Sequence, residues 1–434
     1  MIPAEQVPPD GVGSTHPFRW WILLLLFLSI TINILDRQVL SVVATVLRDT
    51  LGFSNTQYAF IVFCFLLGMT VGQIPVGIIM DRKGARFGFT LIMSWWSTAN
   101  LLHAFARTIA MFSGLRFLLG TAECGTYSGS VKVLGQWFSG QERALAAGIF
   151  NSGSLLGAIV APPLIVLLML KFGWQAAFLL PSVAGLLWLV PWLSIYWEPW
   201  RHPRLLAGGQ TRPHLATNSS LTPPLLPLLR VPAVWAVIMM RGLAGPVTHF
   251  YWYWLPEYLK RERHMSMALI GMVAWLPFFS GGLGNIGGGW FSSWLVRRGW
   301  EVDRARKTAF VIAAVLCLTS VLVPLAPSSA WALAIICLAS LGINVFAANL
   351  IGILTDLFPE SILAKVSGLT GVGDGVMSMM MMVLTGITID HYSYAWVFGA
   401  ASLLPVSAVV ALFLLVGRIR PISLTEIYGG QSQG

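Results

Sequence analysis

The sequence predicts an all-α integral membrane protein of twelve transmembrane helices, arranged in two pseudo-symmetric six-helix bundles. Hydrophobic residues make up 56 % of the 434 residues and charged residues only 10 %, whereas soluble chains carry about 25 % charge. The apolar residues fall in twelve runs long enough to cross a bilayer, six on either side of a polar, proline-rich segment. This composition excludes a soluble globular domain.

The apolar runs define the predicted domain boundaries. The first six runs lie within residues 20–197 and the last six within 231–417. The segment 198–230 holds six prolines and four arginines, a composition typical of a linker. The polar ends, residues 1–19 and 418–434, are predicted to be tails. Because the first run lacks a small-residue cleavage site, we expect it to be retained as a span rather than removed as a signal peptide.

The net charge of +10 is better explained by membrane topology than by a nucleic-acid site. With both termini in the cytoplasm, 17 of the 27 Lys and Arg residues fall in inner loops or tails, six in outer loops and four inside spans. Inner loops of membrane proteins carry such an excess of positive charge. We therefore expect a multi-pass protein of the inner (plasma) membrane with both termini in the cytoplasm.

Two charged residues, Asp36 and Arg37, lie deep in the first apolar run. At about 1.5 Å per residue, Asp36 is roughly 24 Å along the helix from Trp20. Each charge costs on the order of 2.5–3.5 kcal/mol at a helix centre, so we expect both to face a polar cavity. The planar guanidinium of Arg37 suits a substrate carboxylate, and Asn33, four residues earlier, shares its face. The alternative for Arg37 is a permanent ion pair with a neighbouring helix.

The fourth run contains a second charged pair, Arg116 and Glu123. These residues are seven apart and therefore lie on one helix face. Counting along the helices places Arg116 near the level of Asp36 and Glu123 nearer the midplane. We expect an ion pair between Asp36 and Arg116, with Glu123 facing the cavity. Because an arginine changes the proton affinity of a buried carboxyl group, Asp36, Glu123 and Arg116 are predicted to couple transport to protons; satisfied interior ion pairs are the alternative.

Several other polar side chains lie inside the apolar runs and are candidates for binding substrate hydroxyl groups. They are Asn151, Ser154, His249, Tyr253, Asn285 and Asn349, together with Ser152 and Asn344. Such residues often bond a neighbouring helix instead. Asp374, flanked by two glycines, is either a further substrate-binding carboxylate or a satisfied interior residue. His249 could also titrate near neutral pH.

A cluster of charges at the inner end of the second span predicts a cytoplasmic gate or latch between helices. It comprises Asp81, Arg82 and Arg86, with Arg143 from the next inner loop. Lys132 has either a cavity role or a packing and inner-gate role. The four cysteines lack metal-ligand spacing, and we find no nucleophile triad, metal cluster or acid dyad. We therefore expect no enzyme activity, no metal and no cofactor.

The end of the second span carries a resemblance to a known family. It reads Gly77-Ile-Ile-Met-Asp81-Arg82-Lys83-Gly84-Ala85-Arg86. This pattern resembles the loop signature of the major facilitator superfamily, in which two six-helix bundles enclose a midplane binding site. A related glycine-to-arginine stretch ends the eighth span, as repeated halves require.

Two further motifs resemble the anion:cation symporter family and, within it, the bacterial hexuronate transporters. They are Asn33-x-x-Asp36-Arg37 and Arg116-Phe-Leu-Leu-Gly120-Thr-Ala-Glu123. The chain departs from the family pattern in having Ile34 for Tyr, Gln136 for Glu, and Gly245, Gly282 and Ser293 for Asp. Asp374 stands where a small residue or an amide is expected. These departures bear on the choice of sugar acid more than on the fold.

The resemblance implies a transporter that imports a sugar acid, most closely a hexuronate, by proton symport through alternating access. It also implies that Asp36 and Glu123 carry the protons. We expect a monomer in the lipid bilayer, with protons as the coupling ion and a small sugar carboxylate as the partner. The alternatives are a symporter for another organic anion, such as an aldonate or an aromatic acid, and a sensor that binds without transport.

Overall fold

The computed structural model describes residues 18–198, 226–424 and 426, and these ranges form helices without β-strands. The predicted N-terminal tail, most of the predicted linker and the end of the C-terminal tail lie outside the described residues. Nine helices in the described part are long and apolar enough to cross a membrane by length and composition. The fold class is therefore the all-α membrane protein that the composition predicts.

The first half of the chain forms six spans. Its helices are α1 (Arg19–Leu51), α2 (Asn55–Lys83), α3 (Ala85–His103), α4 (Ile109–Glu123), α5 (Gly125–Trp137), α6 (Gly140–Phe172) and α7 (Trp174–Ile195). Helices α4 and α5 are separated only by Cys124, whose backbone keeps right-handed helical angles, so the two form one span. Helix α1 continues well beyond Asp36 and Arg37 to Leu51, and residues of this extension such as Val42 and Leu47 are fully buried.

The second half forms six further spans. Its helices are α8 (Pro232–Arg261), α9 (Met267–Val273), α10 (Leu276–Arg297), α11 (Val302–Leu318), α12 (Ser329–Leu357), α13 (Glu360–His391) and α14 (Tyr394–Val416). Helices α9 and α10 form one span, and a 3₁₀ turn, Thr319–Leu322, extends α11. The described residues thus contain the twelve predicted spans.

The chain divides into two compact units. The first contains residues 1–46 and 64–219, and the second contains residues 47–63 and 220–434. The predicted first bundle, residues 20–197, differs from the first unit mainly in the segment 47–63, which belongs to the second unit. Within that unit, Asp390 of α13 caps the start of α2: its carboxylate accepts hydrogen bonds from the backbone N of Asn55 at 3.0 Å and of Thr56 at 2.7 Å.

Glycines bring together the helices that carry the charged residues. A Cβ atom on Gly120 of α4 would lie 2.3 Å from the carbonyl oxygen of Phe65 on α2, and one on Gly68 of α2 would lie 2.2 Å from that of Phe117. In the second unit, a Cβ atom on Gly373 of α13 would lie 2.7 Å from Ile238 of α8. Larger residues at Gly120 or Gly68 would separate α2 from α4, because they would meet backbone, whereas one at Gly373 would first displace the Ile238 side chain.

Candidate functional site

An ion pair between α1 and α4 lies within the first unit. The Nε and Nη2 atoms of Arg37 donate to the same oxygen of Glu123, Oε2, at 3.2 and 3.1 Å. Nη2 also donates to Asn33 Oδ1 at 3.2 Å, one turn earlier on α1. The Glu123 side chain is fully buried, whereas 19 % of the Arg37 side chain is exposed. The arginine is thus the accessible member of the pair.

Asp36 lies on a different face of α1 and is fully buried. Its Oδ1 atom accepts a hydrogen bond from Asn100 of α3 at 2.8 Å. Arg116 is also buried and interacts electrostatically with both Asp36 and Glu123. Its guanidinium carbon lies 5.9 Å from the centre of the Phe65 ring. Two acids and two arginines therefore form one buried charge cluster.

The pairing within this cluster differs from the prediction. We expected an Asp36–Arg116 pair with Glu123 below it. The ion pair joins Arg37 to Glu123, and Asp36 accepts a hydrogen bond from Asn100, while Arg116 interacts with Asp36 electrostatically. Counting residues along a helix gives depth, whereas the pairing depends on how α1 is rotated towards its neighbours. Sequence reasoning missed Asn100, although an amide within a predicted span was the available sign. Arg37 is thus paired with a neighbouring helix in this structure, and its binding of a substrate carboxylate stays a prediction.

The predicted latch residues make contacts inside the first unit, but with other partners. The Asp81 carboxylate pairs with Lys132 of α5 at 2.8 Å, and Lys132 also bonds the carbonyl of Met80 at 2.7 Å. This contact supports an inner-gate role for Lys132 over a cavity role. The guanidinium of Arg86 lies over the Trp197 ring. Further along the chain, Arg143 donates to the carbonyl of Gly135 at 3.1 Å, and Arg82 is exposed.

A polar cluster lies between α8 and α13 in the second unit. Arg241 Nε is 3.4 Å from Asp374 Oδ2, and Ser378 donates to Asp374 Oδ1 at 3.1 Å. Ser378 Oγ is also 3.1 Å from His249 Nδ1, and the His249 ring is nearly parallel to that of Tyr253. Three predicted residues, Asp374, His249 and Tyr253, are thus brought together. Arg241 and Ser378 had been given no role, although an arginine inside a span is by itself a sign of function.

Gly245 and Asp374, two positions at which the sequence departs from the expected pattern, lie next to each other in this cluster. A Cβ atom on Gly245 would lie 1.8 Å from Asp374 Oδ1. The Asp374 carboxylate therefore fills the space that a side chain at position 245 would need.

Asn349 packs against neighbouring helices of the second unit. Its side chain is fully buried and donates to the carbonyl oxygens of Gly288 at 3.2 Å and Val345 at 3.0 Å. Its Oδ1 atom lies 3.4 Å from Arg306, which pairs with Asp356 at 2.8 Å. These contacts join α10, α11 and α12 and favour the alternative of helix packing, and substrate binding by Asn349 stays a prediction.

The remaining predicted residues are less constrained by the structure. Asn151 and Asn285 are exposed and Ser154 is half-buried, so their binding of substrate hydroxyl groups stays a prediction. Within residues 18–198, 226–424 and 426, no three His, Cys, Asp or Glu side chains are grouped so that they could hold a metal ion.

A comparison with models of known protein families shows the family to which this chain belongs. The model of the Major Facilitator Superfamily matches residues 26–343 and 299–427. The chain belongs to the Major Facilitator Superfamily. Its two repeated halves and its twelve spans are those of that fold.

Curated relatives of this superfamily member are named as transporters of sugar acids. The chain is 28 % identical to the probable galactarate/D-glucarate transporter GudP of Bacillus subtilis, with 95 % of each chain covered. It is 26 % identical to the hexuronate transporter of Escherichia coli K12, with 92 % of each covered. The probable L-galactonate transporter of the same strain is 29 % identical, over 88 % of this chain and 87 % of the relative.

Solved structures of other transporters share the fold. A bacterial homologue of the human lysosomal transporter Spinster has a TM-score of 0.75 at 16 % identity, over 93 % of this chain and 98 % of the other. The xylose transporter XylE of Escherichia coli has a TM-score of 0.74 at 14 % identity, over 94 % and 99 %. At these identities the likeness concerns the fold alone.

Proposed function

We propose that this protein imports a sugar acid together with protons across the inner membrane, by alternating access. The observation that most supports this proposal is the Arg37–Glu123 pair, in which a partly exposed arginine holds a fully buried carboxylate. Arginine binds carboxylates through two parallel donors. Both donors that Arg37 gives to Glu123 end on one oxygen, so a substrate carboxylate could replace Glu123 with better geometry.

Replacement of Glu123 links substrate binding to proton uptake. Once a substrate carboxylate takes Arg37, Glu123 keeps its burial but loses this partner. Arg116 then remains its nearest compensating charge. A buried charge that has lost its ion pair is costly, so Glu123 takes up a proton from the side on which the substrate enters. When the substrate is released on the other side, Arg37 pairs with Glu123 again. Glu123 then gives up its proton on that side.

Asp36 supplies a second place for a proton. Its Oδ1 atom is bonded to Asn100, while Arg116 acts electrostatically on both Asp36 and Glu123. A change in the protonation of Glu123 therefore alters the electrostatic interaction between Arg116 and Asp36. Two protons moving with a monoanion would carry one positive charge inward, worth about 2.3 kcal/mol per 100 mV of membrane potential.

The class of substrate follows from the relatives as well as from Arg37. The relatives are named for hexuronates, galactarate or D-glucarate, and L-galactonate, all of which are sugar acids. The sequence resemblance favours a hexuronate. In this proposal the Asp81–Lys132 pair forms part of the inner gate, the protein acts as a monomer, and both termini are cytoplasmic.

The experiment is uptake and exchange in proteoliposomes under an inward proton gradient, with radiolabelled glucuronate or galacturonate. Glu123→Gln should abolish accumulation driven by the gradient but retain exchange of substrate across the membrane, because an amide cannot release a proton. Arg37→Gln should abolish both. Glu301→Gln is the matched control, since Glu301 pairs with Arg418 at an exposed site, and it should transport as the wild type does.

The outcomes separate the parts of the proposal. Accumulation by Glu123→Gln would show that the proton carrier is misassigned. Binding without uptake or exchange in the wild type would show a sensor instead of a transporter. Absence of binding by any sugar acid would remove the substrate class.

A further inference from the structure

A cavity of about 310 Å³ lies at one end of the second unit. It is formed by the start of α8, the ends of α12 and α14, and the segment that follows α14. Its volume falls within the range of about 300–1,000 Å³ that is typical of small-ligand sites. The proposed transport mechanism assigns this cavity no role.

Charged and apolar side chains line the cavity together. The charged residues are Arg230, Arg418, Arg420 and Glu426. Apolar residues at the ends of the spans, such as Leu357 of α12 and Leu415 of α14, form another part of the lining. Three arginines against one glutamate give the lining a net positive charge, so the cavity complements an anion that also has an apolar part. We call it the arginine cavity.

The arginines of this cavity have donors that a ligand can take. Arg230 is exposed, and within the described part of the chain its guanidinium makes no ion pair or hydrogen bond. Arg420 pairs with Glu426 at 3.1 Å, and Arg418 pairs with Glu301 at 2.9 Å. Both of these ion pairs are exposed to solvent. Because exposed ion pairs contribute little to stability, an anion can replace these partners at small cost.

The segment after α14, which carries two of the three arginines, is held against neighbouring helices. The backbone N of Ile419 donates to Asp303 Oδ1 of α11 at 2.7 Å. The backbone N of Ile422 donates to the carbonyl oxygen of Leu357 at the end of α12, at 2.9 Å. These two hydrogen bonds fix the backbone on either side of Arg420, so this side of the cavity is part of the folded unit.

The arginine cavity lies where spans reach the edge of the bilayer. Helices α12 and α14, which both end at the cavity, are long and apolar enough to cross a membrane. Close by in sequence, Trp235 of α8 is 47 % exposed and Leu414 of α14 is 78 % exposed. Tryptophan is enriched at the boundary between membrane and water. Cationic side chains at the level of lipid headgroups are thus followed along the same helices by exposed apolar ones.

We propose that the arginine cavity binds the phosphate group of an anionic membrane lipid, whose acyl chains lie along α8 and α14. Guanidinium groups bind phosphate oxygens through paired donors, and basic pockets between spans bind the headgroups of anionic lipids. A free phosphate ion would use the same arginines but would leave the apolar part of the lining uncovered, so a lipid is favoured. The inference requires only that these helices span a membrane, and it is independent of the proposed substrate and proton coupling.

The test is native mass spectrometry of the purified full-length protein in detergent, titrated with phosphatidylglycerol or with zwitterionic phosphatidylcholine. The wild type should bind phosphatidylglycerol more tightly. Arg230→Gln should weaken that binding about fivefold, as expected for loss of one arginine near an anionic headgroup. Arg304→Gln is the matched control, because Arg304 is an exposed arginine near the start of α11 that lies over the Trp300 ring and does not line the cavity. It should bind both lipids as the wild type does.

Glu426→Gln is the second variant. It removes the acid that pairs with Arg420, so phosphatidylglycerol should bind more tightly, a gain that misfolding cannot produce. An unchanged affinity in this variant would contradict the inference.

Three further outcomes would overturn the proposed lipid site. Equal affinity of the wild type for the two lipids would show that the headgroup charge is not recognised. Equal weakening by Arg230→Gln and Arg304→Gln would show general attraction to a basic surface. Displacement of phosphatidylglycerol by inorganic phosphate would show a site for a soluble anion instead. Uptake of sugar acids tests the proposed function separately, so either proposal can fail while the other stands.

Discussion

Arg48, near the end of α1, places Nη1 2.5 Å from Oε1 of Glu257 on α8, and both residues belong to the second unit. Glu257 is buried and also receives Nε of Arg261 at 3.3 Å. Arg48 is held in turn by the carbonyl of Phe53, 3.1 Å from its Nε atom. A largely buried ion pair thus attaches the last turn of α1 to α8.

Removal of Glu257 is expected to destabilise the protein strongly. Glu257→Ala leaves the largely buried Arg48 without its carboxylate, and such uncompensated charges cost about 3–5 kcal/mol. Glu257→Gln, which retains the shape and one acceptor, should cost less. Thermal denaturation in detergent measures the effect. The exposed neighbour Glu262 provides the control, Glu262→Gln, and an equally small change for both residues would contradict the expectation.

Close packing of α2 and α4 is expected to be required for the Arg37–Glu123 pair. Gly120→Ala puts a Cβ atom 2.3 Å from the carbonyl of Phe65, so the helices must separate and move Glu123. Loss of both thermal stability and substrate affinity should follow. Gly114→Ala lies on the same helix with no atom within 4 Å of the new Cβ, and it should be neutral or stabilising by up to about 1 kcal/mol. Similar behaviour of the two variants would show that the close approach is not needed.

Asn349→Ala is expected to lower stability and leave substrate recognition unchanged. The amide is fully buried and bonded to two backbone carbonyls and to Arg306. Its loss leaves these partners unsatisfied at a cost of about 1–3 kcal/mol. The melting temperature should fall while the KM for uptake stays within about twofold of the wild type. A large rise in KM with unchanged stability would restore the substrate-binding role predicted from the sequence.

Asn100→Leu is expected to impair proton coupling without removing the carboxylate anchor. The side chain at position 100 donates to the buried Asp36 at 2.8 Å, and leucine has a similar volume but no donor. Asp36 should then hold its proton more persistently, because the charged form has lost a hydrogen bond. Substrate exchange should continue while accumulation driven by a proton gradient falls. Unchanged accumulation would place Asp36 outside the coupling pathway.

Some features were predictable from the sequence because they depend on distances along one helix. The spacing of Arg116 and Glu123 on one helix follows from a fixed rise per residue, and the number of spans follows from the length of apolar runs. Both are properties of a segment alone. The choice of partner is different, since it depends on the rotation of two packed helices. The hydrogen bond from Asn100 to Asp36 is therefore visible only in the structure.

The polar cluster of Arg241, Asp374, Ser378 and His249 between α8 and α13 is a second case in which the sequence does not reveal which residues are partners. Asp374 and His249 were both candidates from the sequence, yet 125 positions along the chain separate them and nothing in the sequence joins them. The contact arises because small residues on α8 and α13, including Gly242 and Gly373, let the backbones approach. Ser378 completes the connection one turn after Asp374. Single motifs identify such residues, but only the packing of the two helices identifies the group.

The overlap between Gly245 and Asp374 also has a consequence for the history of related chains. A Cβ atom at position 245 would overlap the Asp374 carboxylate in its present rotamer, so an acid at either position favours a small residue at the other. Across descendants of a common ancestor, the two positions should change together more often than independently. The double exchange Gly245→Asp with Asp374→Gly should restore part of what each single change removes.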